Sequence, residues 1–391
     1  MVTSQRKWIV PAFWDESYLK ELDDKGLSPH IYEFYGSLPG SFLGTMLTRA
    51  SLPGVTPDGI KDFIKQAHSR GIRFSYTLNA LAMGNREYTA EGREDILKFL
   101  GWLRDIEADS VIVANPLLAM LIRENFPSLE IGVSSAAGVD SLRKAGFWEA
   151  MEAASIKLPL SVNRNFPLLK SLAGNTEADM EVMVNQLCLY QCPMERYHTV
   201  TTNTNSQAGR TEKKSPSFLD WCRLQCNITR WSQPAELLKS PIVRPEDIPL
   251  YQQRGVRYFK IIGRNKNMRH QIVTAIEAYA AGSWRGNLLD IVGVNANPPP
   301  YELREIYPES EFQRYFTEPL YDIDNAKLDG FIGHFIKNGH KCAYSCGVCR
   351  YCDEVAQKVI TVPSEKRLAE FLDALTRLER APARRRNNPA N

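Results

Sequence analysis

Eight short apolar runs punctuate most of this chain, and that count constrains its fold more than any other feature. They lie at residues 7–13, 29–35, 73–78, 110–114, 130–133, 156–162, 181–184 and 256–262. Stretches with helical character separate most of them, at 15–25, 57–70, 92–107, 117–125, 139–154 and 166–172, with a closing helix at 268–281. In the second of these stretches Ile60, Phe63, Ile64 and Ala67 share one face, as a helix packed on a sheet requires. Apolar runs alternating with helices predict an α/β protein whose strands are parallel and covered. A doubly wound open sheet has the same alternation. The count of eight favours a closed (β/α)8, TIM-like barrel.

The chain has 391 residues, enough for a barrel of about 250 residues plus an appendage. The expected division is a barrel over 1–285, with an insertion at 185–245, and a C-terminal cysteine-rich extension with a basic tail over 286–391. N-A-N-P-P-P-Y at 295–301 reads as a stiff linker, 302–339 is aromatic-rich, and 364–379 reads as a terminal helix. The tail carries Arg380, Arg384, Arg385 and Arg386 among Pro and Asn. That composition suits a solvated end, with contact to a polyanion as the alternative. A net charge of +3 is too mild to argue for nucleic acid by itself. No apolar run reaches the roughly 18 residues of a membrane span, and no apolar segment backs the basic residues near the N-terminus. A cytoplasmic protein is expected.

Eight cysteines fall into three groups. Cys188 and Cys192 follow the seventh run in N-Q-L-C-L-Y-Q-C-P-M-E-R-Y-H. Cys222 and Cys226 repeat the C-x-x-x-C spacing, which on a helix puts both sulfurs on one face. Cys342, Cys346, Cys349 and Cys352 lie in C-A-Y-S-C-G-V-C-R-Y-C. Closely spaced thiols in a reducing compartment favour metal over disulfides. Thiolates are soft ligands that suit iron–sulfur clusters or zinc. The last group lacks the long spacer of a zinc ribbon, so iron–sulfur is the first expectation there and zinc the second. Small buried hydrophobes are the plain alternative for Cys188 and Cys192, and the repeat of the pair at Cys222 and Cys226 argues against it. Together the two pairs can supply four ligands. Three would leave one iron open to a substrate; four would make a cluster that passes electrons or shapes the fold.

Asn79, Asn115, Ser134, Asn163, Arg164, Asn185 and Arg264 all stand where an apolar run stops. In a barrel such positions ring the mouth on which sites are built, although loop starts are polar in any protein. His198, ten residues past Cys188, suits an acid or base, a cluster neighbour or a loop hydrogen-bonder. Arg196 and Arg264 suit a bidentate grip on an anionic substrate. Glu33 lies inside an apolar run, costs too much to bury unpaired, and should meet a cation or act in the mouth. The candidate catalytic residues are therefore His198, Arg164, Glu33, Asn163 and Arg264.

N-Q-L-C-L-Y-Q-C-P-M-E-R-Y-H, the later S-P-I-V-R-P-E-D-I-P-L-Y and Y-F-K-I-I-G-R, and the upstream E-F-Y-G-S-L, F-S-Y-T-L-N and V-N-R-N-F resemble the collagenase-like family peptidase U-32. The resemblance runs over roughly residues 8–282. It implies a barrel with cysteine-bound 4Fe–4S clusters and, from better understood relatives, hydroxylation of ubiquinone precursors or RNA without dioxygen. It places cluster ligands at Cys188 and Cys192, with Cys222 or Cys226 as further ligands. The Cys342, Cys346, Cys349 and Cys352 group departs from those hydroxylases and suggests a second cluster. The chain has no G-x-S-x-G elbow and no H-E-x-x-H, so no hydrolase motif supports the peptidase label.

The leading expectation is an iron–sulfur redox enzyme, an oxygen-independent hydroxylase or related oxygen-atom transferase, carrying one or two 4Fe–4S clusters. Zinc is the alternative at the last cysteine group. The substrate would be a small molecule or RNA at the barrel mouth, with a protein partner or redox donor and no membrane span. The alternatives are a non-catalytic electron-transfer subunit and a U-32-type peptidase. Cys342, Cys346 and Cys349 also spell the C-x-x-x-C-x-x-C of radical S-adenosylmethionine enzymes. That motif normally lies near the start of its barrel, and here Cys352 would occupy the open iron.

Overall fold

Strand alternation and helix caps together build the ring. In the computed structural model, which describes residues 6–47, 52–207, 221–293, 320–339 and 341–385, eight parallel strands pair in sequence order and close. They are β1 (Lys7–Pro11), β2 (Ile31–Gly36), β3 (Arg73–Leu78), β4 (Ser110–Val113), β5 (Glu130–Val133), β6 (Ala153–Lys157), β7 (Asp179–Met183) and β8 (Tyr258–Lys260). The ring closes where Lys7, Trp8 and Ile9 pair with Tyr258, Phe259 and Lys260. Six helices cover it in turn: α1 (Glu16–Asp24), α2 (Pro57–His68), α3 (Ala90–Asp105), α4 (Pro116–Asn125), α5 (Leu142–Glu149) and α6 (Phe166–Asn175). Each starts on a polar side chain that accepts a first-turn N–H: Asp15, Thr56, Thr89, Asn115, Ser141 and Asn165. Such caps contribute about 1 kcal/mol apiece.

Between β7 and β8 the chain inserts α7 (Glu195–Ser206), α8 (Trp221–Ser232), α9 (Ala235–Lys239) and α10 (Ile248–Gln252); α11 (Arg269–Ala281) then completes the outer layer. The C-terminal part adds α12 (Phe331–Lys337), α13 (Cys342–Ser345), α14 (Tyr351–Val359) and α15 (Glu365–Arg385). It also adds a two-stranded antiparallel sheet of β9 (Asp322–Ile323) and β10 (Ile360–Thr361). One continuous apolar core runs from the outward faces of the strands, through the covering helices, to Tyr321, Phe331, Phe335, Leu368 and Leu375. The extension is therefore packed onto the barrel's insertion, with α14 against α9 and α15 against α8.

Two sequence expectations shift. The sixth strand is Ala153–Lys157 rather than 156–162, and residues 160–162 form a 3-10 turn. Pro159 cannot donate to a ladder, so the apolar L-P-L stretch leaves the sheet. The helix expected over 139–154 stops at Glu149, and Glu152 turns with φ 61°. The 295–301 linker and Arg386 lie outside the described residues, as do the side chains of Arg380, Arg384 and Arg385.

Candidate active site

Alternate strand residues point into the barrel, and here that interior is largely charged. Ile9, Tyr35, Ile112 and Tyr258 form a small apolar cluster of their own. Around them stand Glu33, Lys157, Glu181 and Lys260, all buried. Lys157 Nζ donates to Glu181 Oε1 at 2.7 Å and to Ser155 Oγ at 3.2 Å. Lys260 Nζ sits 3.6 Å above the Tyr35 ring. Burial, then the Lys157 charge, pulls the Lys260 pKa down to about 7. Burial lifts Glu33 above the usual carboxylate range, against the opposing pull of Lys157. Glu33 Oε1 has no partner among the described residues, nor do Thr77 Oγ1 and Asn79 Oδ1 nearer the mouth. Most barrel interiors are filled by branched apolar side chains; this one keeps two carboxylates and two amines.

The polar strand ends divide into two sets. One set satisfies backbone. Asn185 receives the Ile262 N–H at 2.7 Å and donates to Ile262 O at 3.1 Å, joining the ends of β7 and β8. Asn163 donates to Met183 O at 2.7 Å and Pro241 O at 3.0 Å. Asn115 caps α4. Arg164 donates to the carbonyls of Leu238, Lys239 and Ser240 at 2.8, 3.1 and 2.7 Å. It therefore holds the insertion in place, and its guanidinium also lies over Phe335 and Phe331. The other set faces the mouth. Arg264 donates to Ser37 Oγ at 3.1 Å and lies over the Tyr35 ring at 5.6 Å. Asn79 donates to Ser134 Oγ at 3.2 Å.

Helix α7 roofs this mouth. It leaves from the end of β7 and reaches loops that follow β2 and β3, which stand across the ring. Ser206 Oγ donates to Thr45 O at 2.6 Å, Thr45 N donates back to Ser206 Oγ at 2.7 Å, and Gln207 Nε2 donates to Ala82 O at 2.6 Å. Asn203, fully buried, lies between these contacts. His198 is half-buried on the same helix, one turn from its start, while Arg196 is exposed. A separate open pocket of about 560 Å³ lies between the loops after β1, β2 and β8, lined by Trp14, Thr56, Lys266 and Arg269. Its Arg269 is paired with Asp15 and Glu21.

The first two cysteine pairs meet beside the roof. Cys188 and Cys192 lie on the loop from β7 to α7; Cys222 and Cys226 share a face of α8. The Cys188 thiol accepts from Gln186 Nε2 at 3.2 Å, and its backbone N–H donates to Ser240 Oγ at 3.2 Å. Burial, reinforced by Cys226, pushes the Cys188 thiol up to about 11. Arg230, 1% exposed, donates to Leu187 O at 2.8 Å and reaches Cys226 Sγ at 3.9 Å. No carboxylate pairs with Arg230 among the described residues, and its Nε has no partner.

The third group spans α13, a turn and the start of α14. Cys346 feels Cys342 and Cys349, and Cys352 feels Cys346 and Cys342. Burial pushes the Cys352 thiol up to about 12. The two thiol regions touch: Gln191 Nε2, between Cys188 and Cys192, donates to Ala343 O at 3.1 Å. Among the described residues no three His, Cys, Asp or Glu side chains converge closely enough to hold a metal ion as placed. Metal capture requires the sulfurs to turn inward and lose their protons.

The thiols and Glu33 stand out in the sequence as candidates, whereas Lys157, Glu181, Lys260 and Arg230 do not. The available signal is a lone charge inside each short apolar run, S-I-K, M-E-V and Y-F-K.

A closed ring of eight parallel strands with covering helices places the chain among the (β/α)8 proteins. Within that class, residues 43–282 match the description "Peptidase family U32", and the chain belongs to that family. An uncharacterized protease of Methanocaldococcus jannaschii is 31% identical over 340 residues, covering 87% of this chain and 92% of that protein. The tRNA hydroxylation protein P of Haemophilus influenzae is 32% identical over 92 residues, 24% of this chain and 19% of that protein. The tRNA hydroxylation protein P1 of Bacillus subtilis is 20% identical over 237 residues, 59% of this chain and 54% of that protein.

Proposed function

We propose that this chain is an iron–sulfur redox enzyme that works without dioxygen at the mouth beneath α7, moving an oxygen atom to its substrate from a hydroxylated organic donor, which is reduced by two electrons as the substrate is oxidised by two. Cys188, Cys192, Cys222 and Cys226 would hold a 4Fe–4S cluster. The observation that carries this reading is Arg230. It is a fully buried cation beside Cys226 with no carboxylate partner among the described residues. A buried cation without a counter-charge costs several kcal/mol. Thiolates gathered around iron supply that counter-charge; neutral thiols do not. The donor set of four soft sulfurs fits the group.

Bound there, the cluster supplies electron transfer and Lewis acidity. The chain's own residues do the rest. Helix α7 excludes water. Arg264 presents a buried guanidinium to an anionic part of the substrate, and Thr77 and Asn79 offer unpartnered oxygens to orient it. Lys260, with a pKa near 7, can hold or release a proton at Nζ, where Brønsted behaviour favours a group near the working pH. The two relatives named for tRNA hydroxylation support RNA as the substrate class, and a phosphate suits Arg264.

The test is anaerobic reconstitution with iron and sulfide, followed by incubation with RNA and a hydroxylated organic oxygen donor, and mass analysis of the nucleosides. One added oxygen atom per modified base is expected. Cys188→Ala should lose one cluster's worth of iron, its visible absorbance and that product. Full iron content and full product in Cys188→Ala would overturn the assignment.

A further inference from the structure

We infer that Cys342, Cys346, Cys349 and Cys352 form a second iron–thiolate centre, with Arg164 as its buried counter-cation and the Cys188–Cys192 loop as its neighbour. The inference rests on the reading above for its role, and on this chain's own residues for its place. Four thiols fall within one helix–turn–helix, none of them fully exposed. Three of them, Cys342, Cys346 and Cys352, lie within electrostatic reach of one another.

Arg164 supplies the independent observation. It is 5% exposed, and it stacks over Phe335 at 4.3 Å and Phe331 at 5.4 Å. Three carbonyls take its Nη protons, while Nε has no partner among the described residues. No carboxylate forms an ion pair with it among the described residues. Asp247 influences it only weakly and is itself bound to Arg244 at 3.0 and 3.1 Å. Phe331 in turn stacks on Tyr351 at 5.4 Å, the residue before Cys352, which ties Arg164 to the thiol segment. The same arrangement recurs at the first pair set, where buried Arg230 faces Cys226. Among the described residues each thiol region thus has a buried guanidinium and no carboxylate to match it, which suits a group that is anionic when loaded.

The second centre adjoins the first and is nearer the surface. Tyr190 and Gln191 stand between Cys188 and Cys192 and face it: the Tyr190 hydroxyl is buried with no partner among the described residues and feels Cys342 and Cys346. On the outer side, Tyr344 and Val348 are 78% and 83% exposed. Loaded, the outer centre would supply one-electron transfer from a reduced carrier at the surface, which is oxidised, to the inner cluster, which is reduced.

The test uses full-length protein reconstituted anaerobically with iron and sulfide. Three forms are compared: wild type, Cys342→Ser/Cys346→Ser and Cys188→Ser/Cys192→Ser. Either double variant should hold about half the wild-type iron and sulfide, as loss of one of two equal clusters dictates. Dithionite-reduced wild type should show spin–spin broadening in its paramagnetic resonance spectrum, and each variant a simpler signal. In the Cys188→Ser/Cys192→Ser background, Arg164→Gln should move the remaining midpoint potential to a more negative value, because a lost cation disfavours the added electron. Arg164→Lys should restore it in part. Cys349→Ser replaces the double variant if that protein loses its thermal transition. Unchanged iron in the Cys342→Ser/Cys346→Ser and Cys349→Ser proteins would overturn the second centre, and so would zinc in place of iron there. If Cys188→Ser/Cys192→Ser alone leaves the iron unchanged, the proposed inner cluster fails while the outer one stands.

Discussion

Lys260 carries an ammonium group into a space shared with two carboxylates and a second ammonium. Its pKa is pulled down to about 7 from an ordinary 10.5, by burial and then by Lys157. Between those values the unfolded chain binds a proton that the folded chain has released, so this group makes stability rise with pH across that window. Glu33 has the opposite sign. Burial raises its pKa, so the folded chain holds a proton that the unfolded chain has lost, and stability falls as pH rises towards the raised value. Lys260→Met removes the first effect and strengthens the second, because Glu33 loses a cation. The variant's melting temperature should therefore drop relative to wild type as pH goes from about 6 to about 9. One full proton corresponds to about 1.4 kcal/mol per pH unit, and sharing among four coupled groups predicts a smaller slope. Parallel melting curves for the two proteins would remove Lys260 from the titration. Glu33 stands out in sequence as a charge in an apolar run, but its partners sit in three other runs. Only closure of the ring brings Lys157, Glu181 and Lys260 beside it.

Elements divide between those their own residues define and those the neighbours define. Strands β3 and β5 fall where their apolar runs place them, and α8 presents Cys222 and Cys226 on one face as their spacing requires. The roof helix α7 is different. E-R-Y-H-T-V-T-T-N-T-N-S has little apolar patterning, and its place over the mouth comes from polar contacts to Thr45 and Ala82, which no periodicity reveals. The start of α3 shows the same dependence. Gly92 lies in its first turn, donates to the Thr89 cap at 3.1 Å, and would place an added Cβ 2.2 Å from Arg86 O. Helix propensity favours Ala over Gly by about 1 kcal/mol. Contact with a backbone oxygen cannot be relieved by a rotamer change, and overpacking of this kind costs about 1–3 kcal/mol. Gly92→Ala should therefore destabilise the protein despite its better propensity, by up to about 2 kcal/mol net. It should also disturb the turn that holds Glu87 beside Asn115. Urea unfolding of the variant checks the sign; a stabilised protein would show that residues 86–88 yield freely.

At the scale of the whole molecule, the C-terminal helix bears on the proposed first centre without contributing a ligand to it. Helix α8 carries Cys222 and Cys226 on one side and is clamped on another. Tyr321 stacks on Trp231 at 5.7 Å and donates to its carbonyl at 2.6 Å. From α15, Phe371 meets Trp231 edge-on at 6.5 Å, and Gln225 donates to Glu379 at 2.6 Å. Leu368 and Leu375 of α15 are buried in the shared core. Burial of a leucine contributes about 1.5–3 kcal/mol, so losing these two alone removes on the order of 3–6 kcal/mol, before any discount for a compact unfolded chain. The ring has its own closed ladder and does not include α8. The loss should therefore appear first as local release of α8, within the range of sub-global openings. Deleting residues 364–391 keeps all eight cysteines, yet it should lower the iron retained by the Cys188, Cys192, Cys222 and Cys226 set. The iron held by the Cys342 to Cys352 set should persist, since Arg164 and the aromatic face of α12 remain. Iron per chain, measured in this truncation with and without Cys342→Ser/Cys346→Ser, separates the two sites. A truncated protein with full iron would show that the barrel rim holds α8 without help from the extension.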